Sequence, residues 1–357
     1  MKSEETLLLL EDGTAFAGLP FGEVGEAIGE AVFYTGVVGY QEVITHPSYH
    51  GTLLTMTYPI IGSYGVNDED NESSCVQVRG IVVQEYSRCV SNFRATGALE
   101  DFLKENHVVG IQGVDTRAVV VHLRDHGEMR AMIAPADARR EDLLNRLKAT
   151  PSPFEADLVG DQPGGETLPA AGEQRHRIAA LDLGLTRSLT AQLAQLGCAV
   201  DVLPSRASAA DVLAREPEGL VVAGGPGDPR LLESAIETVR ALAGKLPILG
   251  IGLGHQVAAL ALGCGVRRLK TGHHGVNYPV RHLADRHCDI TVQHHSFVVD
   301  ESAVPASVEA TYLNINDGTV EGIASKEARV AGVQFHPAPD EMGRPSGILG
   351  AFVEGKR

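Results

Sequence analysis

The sequence predicts two domains: a β-rich α+β unit followed by an α/β unit built on a parallel sheet. Three observations predict this. The chain has 357 residues, long for a single hydrophobic core. Short apolar runs dominate its first 150 residues, whereas strand-like runs alternate with helical stretches beyond residue 177. Between them, residues 151–176 carry Pro151, Pro153, Pro163 and Pro169, several glycines and little periodicity, the composition of a linker. The expected boundaries are therefore 1–150, 151–176 and 177–357.

In the first part, residues 7–10, 31–34, 53–58 and 78–84 are β-type runs set between Gly, Pro and Asp. Residues 7–10 are read as a first strand rather than a signal peptide, because no small-residue cleavage site follows them. Residues 99–105 and 117–125 carry apolar residues at helical spacing. In the second part, strand runs are expected at 178–183, 199–203, 219–223, 247–251 and 330–335. Helices are expected at 187–196, 207–214 and 231–243. Strands alternating with helices imply right-handed crossovers and a parallel sheet. In such sheets the working crevice lies at the carboxyl ends of the strands. The loops of interest are then 224–228 and 250–256.

Composition narrows the function. A formal net charge of -16 repels phosphate backbones, which argues against nucleic acid as a partner. No apolar run approaches the ~20 residues needed to span a bilayer, so no membrane association is expected. The five cysteines are scattered and form no CxxC pair, which fits a reducing cytoplasm better than a disulfide framework or a zinc site. His273-His274 and His294-His295 are adjacent pairs. Neighbours on a strand point to opposite faces, so neither pair can hold one ion by itself, and no metal is assigned.

Two loops and one strand end carry chemistry. Gly224-Gly225-Pro226-Gly227-Asp228-Pro229 follows a buried strand run; glycines there let N–H groups approach a ligand, although alone the stretch reads as an ordinary βα turn. Gly250-Ile251-Gly252-Leu253-Gly254-His255-Gln256 lies between a strand and an apolar helix. That is the setting of a nucleophile elbow, whose helix start can stabilise an oxyanion. The central position calls for Ser or Cys, yet it is Gly252. Gln334-Phe335-His336-Pro337 ends a late strand run, where His336 could act as general base.

These three pieces, in this order, resemble the class I glutamine amidotransferases. The whole chain resembles the small subunit of carbamoyl-phosphate synthase. The resemblance rests on Glu11-Asp12-Gly13-Thr14, Gly39-Tyr40-Gln41-Glu42, Pro47-Ser48-Tyr49, Tyr58-Pro59-Ile60-Ile61-Gly62, Ser91-Asn92-Phe93-Arg94 and Asp115-Thr116-Arg117 in the first part. In the second it rests on Gly225-Pro226-Gly227-Asp228-Pro229, Leu253-Gly254-His255-Gln256 and Gly272-His273-His274-Gly275. It implies a flavodoxin-like parallel sheet in the amidotransferase domain. It also implies a cysteine that attacks the glutamine amide, a histidine base and a glutamate that orients it. The ammonia would pass to a large subunit, which alone would use ATP and magnesium; no cofactor is expected in this chain.

Carried over by position, the nucleophile falls on Gly252, the base on His336 and the acid on Ala338. Two of the three catalytic side chains are then absent. Glutamine contacts fall on Ser48, Gly225, Gly227, Leu253, Gln256, His294, Ser296 and Phe297. His294 and Ser296 stand where the family has Asn and Gly, and both add bulk. Thr186 and Ser188 stand where it has Lys and Asn. Neither Cys264 nor Ser296 is identified as a substitute nucleophile. Cys264 lies ten residues beyond Gly254, about 15 Å at helical rise.

The leading expectation is a cytoplasmic small subunit that docks to a large subunit, binds glutamine weakly or not at all, and makes no ammonia. An active glutaminase with compensated departures and a repurposed binding module are the alternatives. The pathway served, arginine or pyrimidine synthesis, is left open.

Overall fold

The computed structural model describes residues 5–160 and 164–355. Pro163, part of the segment expected to be a linker, lies outside the described residues. The chain divides into two compact units. The first comprises residues 1–158 with Lys270–His274, and the second residues 159–269 with Gly275–Arg357.

The first unit is a closed barrel. Its strands run in the order Thr6–Leu10, Ala15–Gly22, Val109–Gln112, Gly80–Val82, Thr52–Met56, Ala27–Tyr34 and Met129–Pro135, the last pairing back with the first. Closure removes the exposed edges that short strands would otherwise present. Leu8, Leu10, Leu53, Val82, Ile111 and Ile133 fill its interior. The helix Thr116–His126 starts where the Asp115 carboxylate accepts from Ala118 N at 2.9 Å. The strands expected at 7–10, 31–34, 53–58 and 78–84 are present with ends shifted by a few residues. The barrel strands Ala15–Gly22, Val109–Gln112 and Met129–Pro135 were not anticipated; Gly and Pro interrupt the first.

The second unit holds a ten-stranded sheet. Its order is Thr167–Leu168, Cys198–Leu203, His176–Leu181, Gly219–Val222, Ile248–Ile251, Val330–Val333, Val320–Ser325, Cys288–Val299, Val266–His282 and Glu309–Asn314. The five strands from Cys198–Leu203 to Val330–Val333 are parallel, as the βα alternation predicts. Their side chains are apolar on both faces because helices cover both sides. Thr167–Leu168, inside the proline-rich segment, is not free chain: it pairs antiparallel with Cys198–Leu203. The helix expected at 231–243 begins later, at Glu233, after a 3-10 turn at Pro229–Leu231. Among the described residues no helix is long and apolar enough to cross a membrane.

Candidate functional site

Parallel register decides which residues share one edge of the sheet. Leu181 lies opposite Val222, Val222 opposite Gly250, and Ile251 opposite Val333. The carboxyl ends of four neighbouring strands therefore bring together the 182–188 loop, the 224–228 loop, Gly252 and residues 334–336.

The elbow is fully formed. The strand Ile248–Ile251 turns at Gly252 directly into the helix Leu253–Ala261. Gly252 has φ 57 and ψ -115, a region that L side chains enter only under strain. Its N–H donates to Val333 O at 2.9 Å, which pins the turn to the adjacent strand. Gly254 and Gly250 are required by packing: a Cβ on the first would overlap Val222 O, and on the second Gly254 O. A Cβ on Gly252 would meet nothing closer than Gly224 Cα at 3.6 Å. Space for a side chain at the tip is thus open, and no side chain fills it.

The glycine loop packs beside the elbow. Gly225 leaves no room for a Cβ against Leu183 O, and Leu253 Cδ2 would lie 3.0 Å from one. Gly227 turns with φ 85. Asp228 then caps the following turn, accepting from Arg230 N at 2.9 Å and pairing with the Arg230 guanidinium at 2.5 Å. That guanidinium sits over the Phe297 ring, 5.8 Å from its centroid.

Gln256 joins the helix to the neighbouring strands. Its Nε2 donates to Phe297 O at 2.7 Å and to Gln334 Oε1 at 3.0 Å. Gln256 Oε1 and Gln334 Nε2 are buried without a hydrogen-bond partner among the described residues. Buried polar atoms of this kind suit a polar ligand group. His294 and Ser296 alternate along the strand Cys288–Val299 and so share one face of it. His294 is half-buried and Ser296 buried. His255 packs against Gly332 in full burial, which pushes its pKa down to about 3 and keeps it neutral.

His336 is held by its backbone, its N–H donating to Val292 O at 2.9 Å. Its Nε2 lies 3.1 Å from Ser188 Oγ. Ser188 is the second residue of the helix Arg187–Gln195, which Thr186 caps by accepting from Leu189 N at 3.4 Å. Burial raises the nearby Asp182 carboxyl, while the Leu185 and Gly184 N–H groups that it accepts oppose the shift. Ala338, at the position of the acid, is exposed. Ser48 lies in the first unit, in the short turn Pro47–Tyr49, its N–H donating to His46 Nδ1 at 3.2 Å.

The second unit thus gathers Gly225, Gly227, Gly252, Leu253, Gln256, Phe297 and His336 on loops of one sheet edge and the strand beside it. Sequence reasoning missed three participants: Ser188 on His336, Gln334 on Gln256, and Arg230 over Phe297. The signal for Ser188 was present, since positions 188 and 336 each follow a parallel strand. The helical estimate for Cys264 needs correction, because the helix ends at Ala261. Cys264 instead lies in an apolar cluster with Ala259, Val299 and Ile323, where burial pushes its thiol up and away from a reactive thiolate.

A family model for the carbamoyl-phosphate synthase small chain, CPSase domain, matches residues 8–133, and one for class-I glutamine amidotransferase matches residues 179–344. The carbamoyl phosphate synthase small chain of Syntrophotalea carbinolica is 42% identical over 347 residues, covering 93% of this chain and 92% of the relative. The chain belongs to the carbamoyl-phosphate synthase small-chain family. The small chain of Akkermansia muciniphila is 44% identical over 344 residues, covering 93% and 91%. A solved glutamine amidotransferase from Thermotoga maritima covers 46% of this chain and 76% of its own, at 20% identity and a TM-score of 0.37. That score is too low to carry a fold assignment. The class I amidotransferase fold of the second unit rests on the family match and the parallel strand order.

Proposed function

We propose that this chain is the small subunit of a carbamoyl-phosphate synthase and that it does not hydrolyse glutamine. One observation carries the reading: the elbow that should lift a thiol above the sheet edge is tipped by Gly252, whose surroundings leave room for a side chain that is not there. Thioester formation needs a thiolate at that point. The base has also lost its acid, since position 338 is an exposed alanine. His294 and Ser296 add bulk where glutamine would lie, so glutamine binds weakly or not at all.

The chain then acts through its partner, a cytoplasmic large subunit that binds ATP and magnesium. Either the pair takes free ammonia, or this chain regulates it. Arginine and pyrimidine synthesis are both open as destinations. The test is coexpression with a large subunit, copurification, and carbamoyl phosphate synthesis driven by glutamine or by ammonium. Copurification with ammonium-driven synthesis alone is expected. Glutamine-driven synthesis at a comparable rate would remove the proposal of inactivity, and failure to copurify would remove the proposal of a partner.

A further inference from the structure

The base of this site faces a hydroxyl. Ser188 Oγ lies 3.1 Å from His336 Nε2, hydrogen-bond distance for a nucleophile and its base. His336 sits just past the carboxyl end of Val330–Val333, and Ser188 lies in the first turn of the helix that follows His176–Leu181, at the edge where the elbow forms. A second hydroxyl, Thr186 Oγ1, lies 3.3 Å from Ser188 Oγ. Two helices of nine residues, Arg187–Gln195 and Leu253–Ala261, begin at this edge. Their first-turn N–H groups lack intrahelical acceptors and favour developing negative charge.

We propose that Ser188 and His336 form a nucleophile–base pair that hydrolyses small carboxylic esters with good leaving groups. Ser188 Oγ attacks the ester carbonyl carbon while its proton passes to His336 Nε2. The tetrahedral intermediate collapses, the C–O bond to the leaving group breaks, and the alcohol or phenol departs with that proton. Water, activated by His336, then cleaves the acyl-serine and releases the carboxylic acid. No redox partner is needed. Esters are favoured over amides because Ala338 supplies no carboxylate to stabilise the imidazolium, and an amine leaving group demands a strong proton donor. The proposal does not depend on a large subunit.

The full chain is mixed with p-nitrophenyl acetate, p-nitrophenolate is followed by absorbance, and peptides are analysed by mass. Acetyl on Ser188 is expected, with phenolate release faster than from the denatured chain. Ser188→Ala should abolish that adduct. His336→Asn should slow its formation at least about 100-fold, the contribution of a positioned base. Ser188→Cys keeps the geometry and should be acylated faster than any of the five native cysteines. A folded chain without acetyl on Ser188, or acetylation at an equal rate in His336→Asn or in denatured chain, overturns the proposal. Circular dichroism on each variant separates loss of the pair from loss of the fold.

Discussion

Gly250 and Gly254 frame the turn that Gly252 tips, and glycine serves different ends at the two places. At the frame, backbone atoms of Gly254 and Val222 occupy the space of any Cβ. At the tip that space is open, and only the backbone angles disfavour a side chain. The comparison teaches that the frame of the elbow is held at close packing tolerance while its tip carries no side chain. Scaffold residues answer to the packing of the whole sheet; a nucleophile answers only to its reaction.

The frame supplies the largest effect. Gly254→Ala places a methyl group into Val222 O, which neither side can yield without shifting a buried strand. We expect a loss of about 3 kcal/mol or more, read by urea denaturation. A loss below about 1 kcal/mol would mean that the frame is loose and that its glycines are not packing requirements.

The next residue, His255, tests the frame through pH. Burial holds its pKa at about 3 in the folded chain, against an ordinary value near 6.5. Below pH 6.5 the unfolded chain takes up a proton that the folded chain refuses, so stability falls as pH falls and is fully present only above about 6.5. Between pH 6.5 and 4.5 the loss approaches roughly 2–3 kcal/mol. His255→Gln should flatten that part of the curve. An unchanged slope in the variant would assign the pH dependence to other groups.

The alternation of strands and helices in the second unit was legible because parallel strands buried on both faces read as unbroken apolar runs, such as Gly219–Val222 and Ile248–Ile251. The elbow was legible from its glycines. Barrel closure was not, since pairing of Thr6–Leu10 with Met129–Pro135 joins segments far apart in sequence and leaves no local pattern. The Ser188–His336 contact spans 148 positions, and its one signal in the sequence was that each residue follows a strand of the parallel sheet, whose register places their loops at one edge.

The tip predicts a smaller cost. Gly252→Cys introduces a side chain at φ 57 without steric overlap, so the strain alone should cost about 1–2 kcal/mol. The variant should fold and still release no ammonia from glutamine. Denaturation and an ammonia assay at millimolar glutamine measure both. Near-family turnover from this single change would show that the rest of the site is intact, and the comparison between frame and tip would reduce to one missing side chain.

Ala338→Glu is expected to have the smallest effect on stability, within about 0.5 kcal/mol, because the position is exposed. Alone it also gives no ammonia, since a carboxylate that orients His336 has no thiol to serve. Its value lies in combination. His336 now faces Ser188, and its other nitrogen must carry the proton if Nε2 is to act as base. A glutamate at 338 would fix that tautomer and stabilise the imidazolium. With Gly252→Cys, His294→Asn and Ser296→Gly it should yield measurable glutaminase activity, while every single variant stays at background. Such non-additivity is the signature of residues that act as a unit. Activity that instead rose in equal multiplicative steps would mean that each lost side chain had worked independently, and that the departures at 252, 294, 296 and 338 were separate events rather than the decay of one site.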